Sequence, residues 1–103
     1  MSTFKRIVKM TFRPEEVDNF LALFAERSPK IRARKGCVYL ELWRSREPSN
    51  VLFTYSLWES EEDLNAYRHS ELFGDTWKRT KALFADGPKA WSVDTVVVVE
   101  EGV

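Results

Sequence analysis

The fold is decided by NVLFTYSLW (Asn50–Trp58), which runs directly into ESEEDL (Glu59–Leu64). The first segment predicts a strand, because β-branched and aromatic residues dominate it and a Pro-Ser-Asn turn signal precedes it. The second predicts a helix start, since Ser60 can accept hydrogen bonds from first-turn N–H groups and the acidic residues oppose the helix dipole. Trp58 therefore stands where a strand meets a helix, which is a common position for a pocket wall.

The other elements are predicted on either side of this junction, beginning with a strand over Phe4–Phe12. A helix starts around Pro14 and ends at Gly36. We expect it to kink or restart at Ser28, because Pro29 removes one helical hydrogen bond. The remaining pattern predicts a strand Cys37–Arg44, a helix Glu61–Arg68, a helix from Ser70 to about Phe84 closed by Asp86-Gly87-Pro88, and a strand Trp91–Glu100.

This order, β-α-β-β-α-β, predicts one α+β domain over residues 1–103, with a ferredoxin-like antiparallel sheet and helices on one face. Bulky apolar residues lie on both faces of the strands: Tyr39 and Trp43 stand opposite Leu40, and Val96–Val99 make the last strand apolar on both sides. In an antiparallel sheet that has one face in solvent, apolar and polar residues alternate along each strand. We therefore expect a second copy of the chain to cover the outer face, giving a homodimer.

Composition argues against several classes of function. The 103 residues include 16 Lys and Arg and 16 Asp and Glu, so a nucleic-acid partner, which usually calls for a basic excess, is not expected. The lone cysteine, Cys37, is predicted to be a buried small hydrophobe. No apolar run reaches the ~18 residues of a membrane span, and the N-terminus lacks a secretion signal's apolar core. We expect no membrane association and a cytoplasmic location.

Three features, taken in order, resemble the antibiotic biosynthesis monooxygenase family of dimeric α+β-barrel proteins. They are Lys35-Gly36-Cys37 entering the second strand, the run Tyr55-x-x-Trp58-x-Ser60-x-Glu62-x-Leu64, and the turn Ser70-x-Leu72-Phe73. The resemblance spans Ile7 to about Val96 and implies a protomer that pairs into a dimeric α+β barrel. It is less specific for an activity, because the family runs from cofactor-free oxygenases of quinol- or anthrone-like substrates, through haem-degrading enzymes, to proteins with no known reaction.

Residues at the family's motif positions separate these activities. The cofactor-free oxygenases place an Asn four residues before the strand Trp and a Tyr six residues after it. This chain keeps Trp58, but it has Thr54, which can donate one hydrogen bond, and Leu64, which cannot donate. The haem-degrading branch has its iron-binding His where Trp77 stands and its distorting Trp at Tyr67. An indole nitrogen has no free lone pair for iron, so haem turnover is disfavoured.

Three residues are candidates for catalysis. His69, the only histidine, would be the general base that removes a proton from a phenolic substrate. The competing interpretation is a surface or helix-capping histidine. Trp58 would share a strand face with Thr54 and offer its indole N–H, although it could equally be an aromatic that closes the end of the core.

The substrate pocket is predicted from the same strand face and from the helices opposite it. Its expected lining residues are Ser56, Tyr67, Phe73 and Trp77. Arg68 and Arg44 could meet an anionic substrate, but single arginines at the ends of elements are usually solvated. The sequence has no Gly-rich phosphate loop, no metal-ligand spacing and no Ser/His/acid set, so no metal and no nucleotide cofactor is expected.

The resemblance and these residues together predict a cofactor-independent monooxygenase that acts on a small aromatic bound between helices and sheet. The deprotonated substrate would itself reduce dioxygen, while the protein desolvates and orients it. The main alternative is a non-catalytic dimer that holds a small hydrophobic ligand in the same cavity. A third is a purely structural dimer in which Trp58, Tyr67 and Trp77 fill the space completely.

Overall fold

A computed structural model describes residues 3–102, so residues 1, 2 and 103 of the predicted domain lie outside the described part. A short 3-10 turn, Pro14–Glu16, follows the first strand and leads into the first helix. The elements are β1 (Phe4–Phe12), α1 (Val17–Arg32), β2 (Cys37–Arg44), β3 (Val51–Trp58), α2 (Glu61–Arg68), α3 (Glu71–Lys81) and β4 (Phe84–Val93). None of the helices between residues 3 and 102 has the length and apolar character that a membrane crossing requires.

The strands form one sheet in the order β2-β3-β1-β4, and every neighbouring pair is antiparallel. Val8 in the central strand β1 lies opposite Thr54 of β3 on one side and Ala90 of β4 on the other. The buried strand residues share one face, here called the inner face, with the buried residues of the helices. The ferredoxin-like α+β architecture predicted from the sequence is therefore confirmed.

The first helix is continuous across its proline. Pro29 lies inside α1, which runs unbroken from Val17 to Arg32. The restart predicted at Ser28 is wrong, and so is a helix reaching Gly36. Pro29 falls in the last helical turn, and the carbonyl it leaves unpaired belongs to the exposed Ala25, where water can satisfy it.

The last strand begins earlier than the sequence predicts. α3 stops at Lys81, and β4 takes in Asp86-Gly87-Pro88, the segment predicted to be a turn. A proline is tolerated here because β4 is an edge strand whose pairing with β1 shifts between Lys9 and Thr11. A bulge at an edge needs no ladder N–H from the proline.

The valine run after β4 is not part of the sheet. β4 ends at Val93, which pairs with Lys5 near the start of β1, so the chain beyond it has no neighbouring strand within the described residues. Val96–Val99 are between 72% and 96% exposed. The predicted strand Trp91–Glu100 is therefore wrong beyond Val93.

One half of the inner face is filled. Phe12 and Leu52 are fully buried, and the Phe12 ring stacks on Phe20 with centroids 4.4 Å apart. α1 supplies the cover over this half through Val17 and Phe20. A smaller buried group, Cys37, Trp58 and Leu64, lies at the other half.

The opposite face of the sheet, here called the outer face, leaves bulky apolar side chains in solvent. Within the described chain, four of them on β2 and β4 are between 37% and 45% exposed: Tyr39, Trp43, Trp91 and Val93. Trp43 stacks on Tyr55 of β3 with centroids 4.9 Å apart. Glu41 accepts hydrogen bonds from the Trp43 indole N–H and the Tyr39 hydroxyl.

Candidate functional site

A cavity of about 270 Å³ lies between the inner face of the sheet and the helices. This volume is near the lower end of the ~300–1,000 Å³ typical of small-molecule sites. Six of the seven predicted site residues line it: Thr54, Ser56, Trp58, Tyr67, Phe73 and Trp77. The third alternative, a core filled by Trp58, Tyr67 and Trp77, is wrong, because those rings stand as walls around the open space.

The walls hold one another in place through ring-to-ring contacts. Trp58 stacks on Tyr67 at 5.4 Å between centroids, and Tyr67 meets Phe73 edge-on at 5.2 Å. Phe73 then stacks on Trp77 at 5.8 Å. Aromatic pairs attract at separations of ~4.5–7 Å. The helical wall is therefore preformed and does not need a ligand to order it.

The strand wall carries the cavity's few hydroxyl groups. Trp58 is 1% exposed, and its indole N–H donates to Ser56 Oγ at 2.9 Å. A buried indole N–H needs such a partner, and the Ser56 hydroxyl keeps its own proton for another acceptor. Thr54 lies two residues before Ser56 on the same strand face and adds a second hydroxyl.

Tyr67 can donate a hydrogen bond, but it is neither an acid nor a base at neutral pH. It lies on α2 between Trp58 and Phe73, and burial raises the pKa of its phenol to about 12. The phenol therefore stays protonated throughout the neutral range. Tyr67 contributes a ring face and one O–H donor to the wall.

The structure does not bring His69 to the cavity. His69 follows the last residue of α2 as its C-cap, is exposed, and is absent from the cavity lining. Its Nδ1 lies 2.7 Å from the backbone oxygen of Asn65, so Nδ1 carries the proton and donates to that carbonyl. This geometry matches the helix-capping interpretation, and a catalytic role for His69 stays a prediction without geometric support.

Sequence reasoning found only part of the charged site, because it named Arg68 as a possible contact for an anionic substrate and missed Arg6. Arg6 on β1 and Arg68 at the end of α2 both line the cavity, whereas none of its described lining residues is Asp, Glu or His. Arg6 shares the inner strand face with Val8 and Met10, and an arginine on an otherwise apolar face was the signal that could have revealed it. Arg44 lies outside the lining and donates to the backbone oxygen of Ser49.

Ser60 and Ser70 fix the two short helices that carry the aromatic wall. Ser60 Oγ accepts from the backbone N–H of Asp63, and Ser70 Oγ accepts from that of Phe73, both at 3.1 Å. These N-caps satisfy donors that would otherwise have no partner. Between residues 3 and 102, no three His, Cys, Asp or Glu side chains are grouped as metal ligands would be.

A family model described as antibiotic biosynthesis monooxygenase matches residues 3–79, which is more than half of the chain. This chain belongs to the antibiotic biosynthesis monooxygenase family. No curated protein matches it.

Solved structures agree with this membership at the level of the fold. The crystal structure of an antibiotic biosynthesis monooxygenase superposes with a TM-score of 0.85 at 20% identity, over 91% of this chain and 99% of that one. A candidate family member from Caulobacter crescentus CB15 gives 0.85 at 19%, over 92% and 91%. Another from Bordetella bronchiseptica gives 0.85 at 22%, over 94% and 100%.

The two motif positions at which this family member departs from the cofactor-free oxygenases lie on the cavity. Thr54 and Leu64 both line it, with Leu64 at 6% exposure beside Trp58. Trp77, at the position of the iron-binding His in the haem-degrading branch, stacks on Phe73 and lines the same space. These three residues therefore change the groups that the cavity wall presents to a ligand, but they do not fill the cavity.

Proposed function

We propose that this member of the antibiotic biosynthesis monooxygenase family is a cofactor-independent monooxygenase of a small aromatic of the quinol or anthrone type. The observation that carries the proposal is the cavity of about 270 Å³ beside Trp58. Aromatic rings form one wall and hydroxyl groups stand on the other, which suits a flat ring with a polar edge. The substrate would lie against Tyr67, Phe73 and Trp77, with its oxygen toward Ser56 and Thr54.

The reaction requires no reductant from the protein, because the substrate itself reduces dioxygen. Loss of a proton from the CH₂ group beside an anthrone's ketone gives an electron-rich enolate that can reduce dioxygen. The CH₂ group becomes C=O, with one oxygen atom of O₂ entering the product and the other leaving as water. The protein has to exclude water and stabilise negative charge on the substrate's oxygen. The hydroxyls of Thr54 and Ser56 are the donors placed for that task.

Oxygen uptake by the purified protein with anthrone- and hydroquinone-type substrates tests the proposal. We expect uptake above a protein-free control, and a loss of ~10²-fold in Thr54→Val, which removes a donor with little change in volume. Thr3→Val, the same change at an exposed position before β1, is the matched control and should keep full uptake. Uptake equal to the protein-free control across several such substrates would refute the proposal.

The role predicted for His69 is tested in the same assay. If His69 is the general base, His69→Ala slows turnover by ~10²-fold or more. Its exposed position and its bond to Asn65 lead us to expect unchanged turnover instead. A large loss in His69→Ala with the helix content intact would restore His69 to the site.

The second candidate is a non-catalytic module that holds a small hydrophobic ligand in the same cavity. It is favoured by a specific observation: the Trp58 indole N–H is already used by Ser56, and the described lining residues include no His or carboxylate that could act as a base. Calorimetric binding of anthrone or a hydroquinone without oxygen uptake would select this function. Haem degradation ranks below both, because Trp77 cannot ligate iron.

We also propose that the active form is a homodimer whose protomers pack outer face to outer face, closing the α+β barrel. Proteins of this family are commonly dimeric. Tyr39, Trp43 and Trp91 form the kind of exposed apolar patch that a second copy covers. Val96–Val99, which follow β4, add a further exposed apolar segment. The cytoplasmic location and the lack of a cofactor predicted from the sequence stay predictions.

Sedimentation equilibrium at micromolar concentration tests the dimer. We expect twice the mass of one chain, and dissociation in Trp43→Glu, which places an unpaired charge in the apolar patch. Lys30→Glu on the exposed side of α1 is the control and should stay dimeric. A wild-type chain that sediments as a monomer would contradict this assembly.

A further inference from the structure

The cavity wall carries positive charge that nothing in the described chain neutralises. The whole chain balances 16 basic against 16 acidic residues. The lining, in contrast, includes Arg6 and Arg68 and, among the described residues, no Asp or Glu. Lys89 also borders the cavity, but it pairs opposite Lys9 of the outer face, so Arg6 and Arg68 are the two cations of the inner side.

Neither arginine has a carboxylate within 4.0 Å, since the ion pairs between residues 3 and 102 involve Arg13, Arg27 and Arg79 instead. Among the described residues, Arg6 donates a side-chain hydrogen bond only to the neutral Ser92 Oγ, at 3.1 Å. Arg27, in contrast, has two acidic partners: its guanidinium lies 2.8 Å from Asp75 and 3.2 Å from Glu26. Arg13, Arg27 and Arg79 are paired with acids, whereas four further arginines, like the two at the cavity, have no carboxylate within 4.0 Å in the described chain. What distinguishes Arg6 and Arg68 is that they line a cavity whose described lining holds no acid.

The charge of Arg68 also acts on the guanidinium of Arg6. Burial lowers the pKa of Arg6 below its ordinary value, and the positive charge of Arg68 lowers it further. Arg6 is partly buried and Arg68 is exposed at the edge of the cavity, and a partly buried cation beside a like charge is costly unless an anion joins them. The cost indicates a site whose most favourable state contains a negative group.

The anion's place follows from the strand register. Arg6 lies opposite Ser56 of β3 and opposite Ser92 of β4, so its side chain stands beside the hydroxyl wall. Arg68, at the end of α2, borders the same cavity as Tyr67, whose ring forms part of the aromatic wall. A ligand with its ring on the aromatic wall therefore directs its oxygen toward both arginines.

We propose that the cavity binds its aromatic ligand as the oxyanion, an ionised phenol or enolate, with the negative oxygen held by Arg6 and Arg68. The proposal rests on the function proposed above and names the charge state of that substrate. The hydroxyl proton of the ligand passes to solvent on binding, so the neutral phenol becomes a bound phenolate plus one released proton. No base in the cavity is then needed, which accounts for His69 standing outside it.

The test compares para-nitrophenol, whose anion alone is yellow, with its neutral isostere para-nitroanisole, by calorimetry and absorbance. We expect the wild type to bind the phenolate at least ~10-fold more tightly than the anisole, as a hydrogen bond to a charged group implies. It should also lower the bound phenol's pKa. Arg6→Gln should remove most of the preference, and Arg6→Lys should keep most of it. Arg46→Gln, in the exposed loop, is the matched control and should keep the wild-type preference.

The outcomes separate this inference from the proposed reaction. Phenolate preference that depends on Arg6, without oxygen uptake on anthrones, supports the anion site and refutes the oxygenase. Oxygen uptake without phenolate preference refutes the anion site and leaves the oxygenase standing. Equal binding of both probes, or binding of neither, overturns the inference. Circular dichroism of each variant confirms that a lost preference does not reflect a lost fold.

Discussion

Both halves of the inner face are built from aromatic and aliphatic residues, but one half is filled and the other encloses the cavity. In the filled half, α1 lies over the sheet and Phe12 and Leu52 are fully buried. In the half that contains the cavity, α2 and α3 supply the aromatic wall, where Tyr67 packs edge-on against Phe73, and α1 adds Phe20, Phe24 and Ile31 to the lining. Both halves are aromatic, so the open space comes from how the cover is built and not from a shortage of apolar side chains.

Contacts between aromatic rings also connect the two halves. Trp77 of the cavity wall meets Phe84 edge-on at 5.7 Å, and Phe84 packs on Phe12 at 5.3 Å. Packing in the filled half therefore supports the position of Trp77 in the cavity wall. We therefore expect substitutions of aromatic residues in the filled half to lower mainly the free energy of unfolding. Substitutions of aromatic residues in the cavity wall should lower mainly the affinity for a ligand.

The largest expected effect is on the filled half. Phe12→Ala should lower the free energy of unfolding by ~3–5 kcal/mol, because a fully buried ring leaves a cavity behind. Phe73→Ala should cost only ~1–2 kcal/mol, since one side of its ring already faces open space. Urea unfolding of both variants measures the difference. Equal costs would show that the two halves are packed alike.

Tyr67 should make stability depend on pH in the alkaline range. Its folded-state pKa of about 12 lies above the ordinary value of 10, because burial favours the neutral phenol. The stabilisation is complete below pH 10 and is lost as pH rises toward 12, by up to ~2–3 kcal/mol. The difference in urea unfolding between the wild type and Tyr67→Phe, taken as a function of pH, isolates this residue. A difference that does not change with pH would contradict the burial of the phenol.

Gly36 ties the start of β2 to the helix that carries Tyr67. Its φ is +84°, and a Cβ there would lie 2.4 Å from the Asp63 side chain. Gly36→Ala should therefore cost ~1–3 kcal/mol from backbone strain and crowding. Gly74→Ala is the matched control: nothing lies within 4 Å of its Cβ position in α3, so the change should be neutral or stabilising by up to ~1 kcal/mol. Thermal unfolding distinguishes them, and a harmless Gly36→Ala would sink this explanation.

The smallest expected effect is at the cap of α3. Ser70→Ala removes the acceptor for the Phe73 N–H and should cost ~1 kcal/mol. Ser70→Asp keeps an acceptor and should restore most of the loss. Thermal unfolding of the pair measures this, and an Asp variant no better than Ala would mean that the serine acts in some other way.

The sequence predicted the elements whose signals are local. β1, β2 and α2 have the predicted bounds, and β3 begins one residue after the predicted turn, because alternation and the Ser60 cap depend only on near neighbours. Pro88 misled the prediction of β4, since only the sheet order reveals that this proline lies on an edge strand. Val96–Val99 misled it too, because strand propensity says nothing about whether a partner strand is present.

The aromatic part of the site was predicted, whereas in its charged part Arg68 was considered and Arg6 was missed. Trp58, Tyr67, Phe73 and Trp77 were found because the motif and helical spacing place them on inward faces. The direction of His69 depends on how α2 ends, which its position in the chain does not determine. Arg6 and Arg68 are 62 residues apart in sequence and meet only through the packing of α2 on the sheet.

The most direct test of the ligand site uses the four tryptophans as internal reporters. Trp58 and Trp77 line the cavity, while Trp43 and Trp91 lie on the outer face. Titration of the ¹⁵N-labelled protein with para-nitrophenolate, followed by NMR of the indole N–H groups, reports on both places at once. We predict that the Trp58 and Trp77 signals shift and that the Trp43 and Trp91 signals do not. Shifts confined to Trp43 and Trp91 would contradict a ligand site inside the fold.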